Sequence, residues 1–231
     1  MKPLHLELHT GKIRVSLPSN RLFVTETFVS LQGEGLHAGL PCFFIRLSGC
    51  NLRCRYCDTT YAYKPGSSQS LETLIEQWKQ SQVNLVQITG GEPLIQPAVY
   101  PLMRELLQQG AKVLLETNGS MNLKQVPFQV IKVVDRKTPG SGMAGSWFPL
   151  NLKYLSFNDQ VKYVLTSEED FYWAAEEITT LEMWSISQVL FSPASNFFNP
   201  KRLAELLVTS HIPVKFQLQL HKVLWGNRAG I

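Results

Sequence analysis

Hydrophobic and polar positions alternate with a period of two along several short stretches of the chain, and with a helical period along others. Leu4, Leu6 and Leu8, then Ile13, Val15 and Leu17, alternate with polar residues around Thr10-Gly11, which predicts a hairpin at the front of the molecule. A second extended stretch over 23–29 leads into the polar, Gly-rich Leu31-Gln32-Gly33-Glu34-Gly35. Over 42–47, Phe43, Ile45 and Leu47 face one way and Cys42, Phe44 and Arg46 the other. Helices and strands then take turns. Leu71, Leu74, Ile75 and Trp78 fall at helical spacing behind a candidate N-cap, Ser70. After a strand at 84–89, Pro97 opens a helix with Val99, Leu102, Met103, Leu106 and Leu107 on one face, and Gly110 closes it. Strands follow at 112–116, 130–135 and 161–165. The acidic run Glu168-Glu169-Asp170 begins a helix after Ser167, with negative charge at the end the macrodipole favours. A strand at 189–191 and a helix starting at Asn199-Pro200, through Leu203, Leu206 and Leu207, lead into the tail at 213–220. The Gly-, Ser- and Pro-rich stretch 136–159 has no clear period and reads as a long loop.

About six strands alternating with helices argue for parallel β/α units, with fewer good helices than a closed (β/α)₈ barrel requires. The expected fold is α/β: a partial, modified (β/α) barrel over 21–231, preceded by an extra hairpin over 1–20, all in one domain. The length of 231 residues suits that. Hydrophobic residues make up 44% and charged residues 17%, which rules out a disordered chain. No apolar run reaches the ~18–20 residues of a membrane span, and the first residues lack the apolar core of a secretory signal. With 22 basic and 18 acidic residues the net charge is +4, and there is no Lys/Arg cluster of the kind that marks nucleic-acid binders. Neither a membrane nor a nucleic-acid partner is expected, and a cytoplasmic location is.

The cysteines narrow the chemistry. All four, Cys42, Cys50, Cys54 and Cys57, fall in one short stretch. A disulfide framework would spread them out, so clustering points to a metal or iron–sulfur site in a reducing compartment. Cys50-Asn-Leu-Arg-Cys54-Arg-Tyr-Cys57 places three thiolates in one loop directly after a strand. Three cysteines hold three corners of a cubane [4Fe–4S] cluster and leave the fourth iron open to another ligand. Zinc sites usually use paired knuckles, and no second pair exists here. Cys42 lies on the strand, fits no ligand spacing and reads as a small buried hydrophobe.

The triplet resembles the signature of radical S-adenosylmethionine enzymes. Around it stand Leu31-Gln32-Gly33-Glu34-Gly35, Arg46-Leu-Ser-Gly-Cys50, Cys57-Asp58-Thr59, Thr89-Gly90-Gly91-Glu92-Pro93, Glu116-Thr117-Asn118-Gly119, Asp135-Arg136-Lys137-Thr138-Pro139 and the tail Gln219-Leu-His-Lys-Val-Leu-Trp225-Gly. Together they resemble the 7-carboxy-7-deazaguanine synthase (QueE) family, from about Phe23 to the C-terminus. The resemblance implies ring contraction of 6-carboxy-5,6,7,8-tetrahydropterin to 7-carboxy-7-deazaguanine with loss of ammonia, on the route to queuosine. It implies a [4Fe–4S] cluster, S-adenosylmethionine and Mg²⁺, and a 5′-deoxyadenosyl radical that takes a hydrogen from C6 of the pterin.

The same resemblance distributes roles. Cys50, Cys54 and Cys57 ligate the cluster. Thr59 binds Mg²⁺. Leu31, Gln32, Gly33, Arg46 and Thr89 meet the substrate, with Glu116 a further candidate or else a structural partner of Arg46 or Lys137. Tyr56, Cys57, Asp58, Gly91, Asp135, Arg136, Lys137 and Ser192 meet S-adenosylmethionine. Ser192 stands where the family often has Gln. Gln32 and Glu34 also suit the amide-like edge of a pterin. A flavodoxin-like reductant and a homodimer are expected. The competing readings are another radical enzyme, such as a glycyl-radical activase, and a metal-stabilised RNA-binding module. The first would often carry extra cysteines and the second a basic patch, and this chain has neither.

Overall fold

The computed structural model describes residues 20–226, 228 and 230. The expected hairpin over 1–20 lies almost wholly outside them. Nine strands form one sheet in the order β3-β1-β2-β4-β5-β6-β7-β8-β9. They are β1 (Arg21–Leu31), β2 (Pro41–Leu47), β3 (Ser67–Ser70), β4 (Leu85–Gly90), β5 (Lys112–Thr117), β6 (Ile131–Arg136), β7 (Gln160–Leu165), β8 (Gln188–Pro193) and β9 (Lys215–Phe216). β1 pairs antiparallel with β2 and β3, and every other pairing is parallel. The sheet is open, with β3 and β9 at its two ends, so the barrel is partial.

Period-two alternation sorts side chains onto two faces. Outward, Ile45, Val86, Ile88, Val113, Leu115 and Val134 are buried against α1 (Leu71–Ser81) and α2 (Val99–Gln108). Farther along, Val161, Tyr163, Val189 and Phe191 pack with α3 (Glu168–Thr180) and α5 (Pro200–Ser210), next to the short α4 (Met183–Ile186). Ser70 caps α1 by accepting from the Thr73 N–H at 3.1 Å, and Asn199 caps α5 by accepting from Lys201 at 2.9 Å. Inward, Cys42, Phe44, Leu85 and Leu114 form an apolar plug with Phe28 and Ile131. Cys42 is thus a core residue, and burial pushes its thiol up to about 12.

The structure adds detail to the expected elements. α2 begins at Val99, with Pro97 two residues before it and a 3₁₀ turn at Pro93–Ile95. The stretch 136–159 is wound into three 3₁₀ turns, Pro139–Ser141, Ala144–Ser146 and Pro149–Tyr154. A last helix, α6 (Leu220–Trp225), docks on the Gln-Gly-Glu-Gly loop, where the Leu220 N–H donates to the Gly33 carbonyl at 2.9 Å.

Candidate active site

Above the apolar plug, the C-terminal ends of β2 and β4–β7 and the loops after them surround a cavity of about 580 Å³. The loop after β2 carries the three cysteines, and all three thiols, each partly buried, line the cavity. Burial pushes the Cys50 and Cys54 thiols up, while the Lys137 ammonium pulls both down. Cys50 is the most closely held. The Leu52 N–H donates to its Sγ at 3.4 Å and the Asn118 amide reaches it at 3.9 Å. Gly91 stands directly behind, and a Cβ there would overlap the Gly49 carbonyl and the Cys50 Cβ. Among the described residues, no three His, Cys, Asp or Glu groups converge on a single metal ion. A cubane takes its three thiolates at three separate corners, and three soft sulfurs lining one cavity suit that cluster.

Behind this wall lies Glu92, fully buried. Its carboxylate accepts from the Asn118 N–H at 2.7 Å, the Leu94 N–H at 3.0 Å and the Thr117 hydroxyl at 2.8 and 3.0 Å. It thereby ties the loop after β4 to the loop after β5. Burial without a cationic partner in contact raises Glu92 to about 7, despite those hydrogen bonds.

The opposite end of the cavity is ionic. Lys162 points inward from β7 and is nearly inaccessible. Its ammonium lies 2.6 Å from Glu34, 2.6 Å from Glu116 and 3.9 Å from Asp135. Burial alone would raise Glu34, but Lys162 and the Gln219 amide hold it down at about 2. Burial also opposes the charge on Lys162, yet Glu116, Glu34 and Asp135 keep it well above the ordinary lysine range. Gln32 donates to Gln87 at 3.0 Å, while Gln87 and Thr89 each donate to Glu116 at 3.2 Å. Gly33 packs so closely against His221 that a Cβ there would overlap the imidazole ring.

The cavity gathers most of the expected residues: Leu31, Gln32, Gly33, Arg46, Cys50, Cys54, Tyr56, Cys57, Asp58, Thr59, Thr89, Gly91, Glu116, Asp135 and Lys137. Lys137 pairs with Asp135 at 2.9 Å and lies 5.4 Å from the Tyr56 ring centre. Thr59 donates to Asp58 at 2.9 Å. These are hard oxygen donors with few protein contacts, which fits a Mg²⁺ ion that keeps positions for ligand and water.

Two residues are placed otherwise. Asp135 and Lys137 face inward, so Arg136 between them faces out. Its guanidinium binds Glu177 at 2.6 Å, donates to the carbonyls of Lys137 and Ala144, and lies over Trp147 and Trp173. Ser192 is buried in β8 opposite Val164, and the cavity wall starts beyond it at Ala194, Ser195 and Asn196. Arg46 also has an unexpected partner. Its Nε donates to Glu26 at 2.7 Å, because Glu26 sits opposite it on antiparallel β1, whereas Glu116 lies two strands away and pairs with Lys162. The residues sequence reasoning missed are Lys162, Lys222 and His221. Lys162 had a signal: like Arg46, it interrupts an apolar strand at an inward position.

This fold and thiol-lined cavity define a radical S-adenosylmethionine enzyme, and the model of that superfamily matches residues 44–132. Relatives named 7-carboxy-7-deazaguanine synthase match nearly end to end. The one from Koribacter versatilis is 38% identical over 217 residues, covering 87% of this chain and 96% of its own. The one from Chlorobaculum tepidum is 36% identical, covering 90% and 96%. The chain belongs to the 7-carboxy-7-deazaguanine synthase family. Its fold is that of QueE from Escherichia coli, with a TM-score of 0.71 at 24% identity over 87% of this chain and 95% of that one. SuiB from Streptococcus suis, bound to its precursor peptide, shares the fold more distantly, with a TM-score of 0.55 over 76% of this chain and 48% of that one.

Proposed function

We propose that the ring contraction of 6-carboxy-5,6,7,8-tetrahydropterin takes place in this cavity, with its two ends dividing the work. When bound, the cluster supplies one electron for reductive cleavage of S-adenosylmethionine. Cys50, Cys54 and Cys57 hold it. Gly91 lets backbone approach the methionine amino group, and Tyr56, Asp58, Asp135 and Lys137 line the space for the rest of the cofactor. Arg136 acts on that space indirectly, by fixing the Lys137 and Ala144 carbonyls.

At the ionic end, Gln32, Glu34, Thr89 and Glu116 present alternating acceptors and donors to the amide-like edge of the pterin. Lys162 keeps Glu34 and Glu116 ionised and therefore accepting. Arg46 uses Nε for Glu26 and keeps its two Nη groups for the substrate carboxylate, with Mg²⁺ at Thr59 on the same carboxylate. The stacked Phe28 and Phe44 rings below, 4.9 Å apart, exclude water from the radical chemistry. Exposed Arg53 and Arg55 on the cysteine loop suit an acidic, flavodoxin-like reductant. Exposed Phe216, Val223 and Leu224 offer apolar surface to a second copy of the chain.

The observation that carries this reading is the meeting of three thiols and an ion-paired carboxylate pair in one cavity. Anaerobic turnover with the pterin and S-adenosylmethionine tests it, following the deazaguanine. The wild type forms product. Cys50→Ala, Cys54→Ala and Cys57→Ala each lose both the visible absorbance of the cluster and turnover, whereas Cys42→Ala keeps both. A Cys54→Ala protein with a full cluster would overturn the assignment.

A further inference from the structure

α6 is fastened across the cavity mouth at several points. The Leu220 N–H bonds Gly33, and the Gln219 amide donates to Glu34 at 2.8 Å. From the same helix, Lys222 reaches the cysteine loop. Its ammonium lies 2.5 Å from Asp58 Oδ2 and 3.3 Å from the Ser195 hydroxyl. The other oxygen of Asp58 accepts from the Thr59 hydroxyl at 2.9 Å. All four residues line the cavity. The Lys222 side chain is only 18% exposed, so its charge is poorly screened, while Asp58 is 49% exposed.

One carboxylate therefore serves two cations. A divalent ion at Thr59 has Asp58 as the adjoining carboxylate, and the Lys222 ammonium already neutralises that carboxylate from the other side. The ammonium and the metal repel each other across it. The staple explanation, in which Lys222 only fastens α6, makes no such demand, because Gly33 and Glu34 hold the helix without it.

We propose that Lys222 is a tethered cation that competes with Mg²⁺ for Asp58 and so sets how much Mg²⁺ the enzyme needs. In the metal-free protein Lys222 keeps Asp58 paired and the loop after Cys57 in place. Metal binding is weakened by the work of displacing or facing that charge. The inference rests on Thr59 as the Mg²⁺ position.

The test is Mn²⁺ binding, read from the electron paramagnetic resonance signal of free Mn²⁺. It uses the enzyme with its oxidised cluster, S-adenosylmethionine and the pterin, without reductant, so that nothing turns over. Lys222→Met binds Mn²⁺ tighter than wild type by at least roughly fivefold, the ~1 kcal/mol of two unit charges about 4 Å apart screened as in bulk water. Lys222→Arg keeps the charge and the wild-type affinity. In an Asp58→Asn background, where no carboxylate is left to compete for, the gain from Lys222→Met is clearly smaller than in wild type. Unchanged or weaker Mn²⁺ binding in Lys222→Met, with wild-type binding intact and lost in Thr59→Ala, overturns the competition and leaves the Thr59 reading standing. A wild type whose Mn²⁺ binding is unaffected by Thr59→Ala overturns both.

Discussion

Glu34, in the ionic wall of the cavity, and Glu92, buried behind its cysteine wall, sit on opposite sides of the ordinary glutamate range. Glu34 has a buried ammonium 2.6 Å away and is held at about 2. Glu92 has only neutral donors in contact and is raised to about 7. The difference is one of partner charge, since both carboxylates are well hydrogen-bonded. It shows how the molecule separates two tasks. The ionic end holds fixed, ionised acceptors, and Lys162 ensures them. The cysteine end gathers negative charge from three thiolates, and a carboxyl there that accepts a proton near neutrality spares Cys50 a further negative neighbour.

Removing the ammonium breaks this comparison most severely. Lys162→Met leaves Glu34 and Glu116 facing each other without a cation, and losing one partner of a buried ion pair costs about 3–5 kcal/mol. The expected result is a large fall in unfolding midpoint together with a pterin affinity lowered by roughly two orders of magnitude, as two charge-assisted hydrogen bonds lose their acceptors. Urea unfolding and calorimetric titration check it. If affinity survives, the ionic end is structural and does not bind substrate.

Glu92→Gln strikes the neutral end. An amide has one acceptor oxygen where the carboxylate bonds Leu94 and Asn118 with different oxygens, so one buried N–H loses its partner at about 1–3 kcal/mol. The pH dependence sharpens the contrast. A carboxyl raised from 4.5 to about 7 on folding contributes stability that is fully present below 4.5 and is lost as pH rises through 7. Glu34, lowered to about 2, behaves oppositely: its contribution is present above 4.5 and is lost as pH falls toward 2. The advantage of wild type over Glu92→Gln therefore shrinks between about pH 5 and 8, measured by urea unfolding across that range. A pH-independent advantage would mean that Glu92 is ionised throughout.

Arg46→Lys is the mildest change. The charge beside Glu26 remains but the planar fork is lost. Pterin affinity should fall about tenfold, ~1.4 kcal/mol, with the cluster and substrate-free cleavage of S-adenosylmethionine intact. The alternative outcome is an unchanged Kd in a destabilised protein. That would make Arg46 a brace between β1 and β2.

The sequence revealed strands wherever several apolar residues alternate in a row, as in β2, β4 and β7. It concealed β3, because Ser-Ser-Gln-Ser carries no hydrophobic pattern and is held to β1 by backbone pairing and by Arg21, whose Nε donates to the Ser68 hydroxyl at 2.8 Å. It concealed β9 because two residues make no period. The cysteines, Gly91 and the Gln-Gly-Glu-Gly loop were legible because their chemistry is local. Partnerships were not. Glu26 faces Arg46 only once β1 is known to run antiparallel to β2, and Lys162 meets Glu34 only because β7 and the loop after β1 close on the same space. Period two already assigned the Arg136 side chain outward once Asp135 and Lys137 were taken as inward.

The two strands hidden in the sequence have a consequence for how the molecule behaves in a crowd. An open sheet has two free rims, and each offers unpaired backbone to any extended chain, the first step of edge-to-edge aggregation. Among the described residues, one end of the sheet is the short polar β3, laid against residues 21–24 of β1, and the other is the two-residue β9 with Lys215 and Phe216 exposed. Neither outer strand is long enough to template an extended partner. The barrel can therefore stay unclosed, its cavity open, with only short strands at the two ends of the sheet.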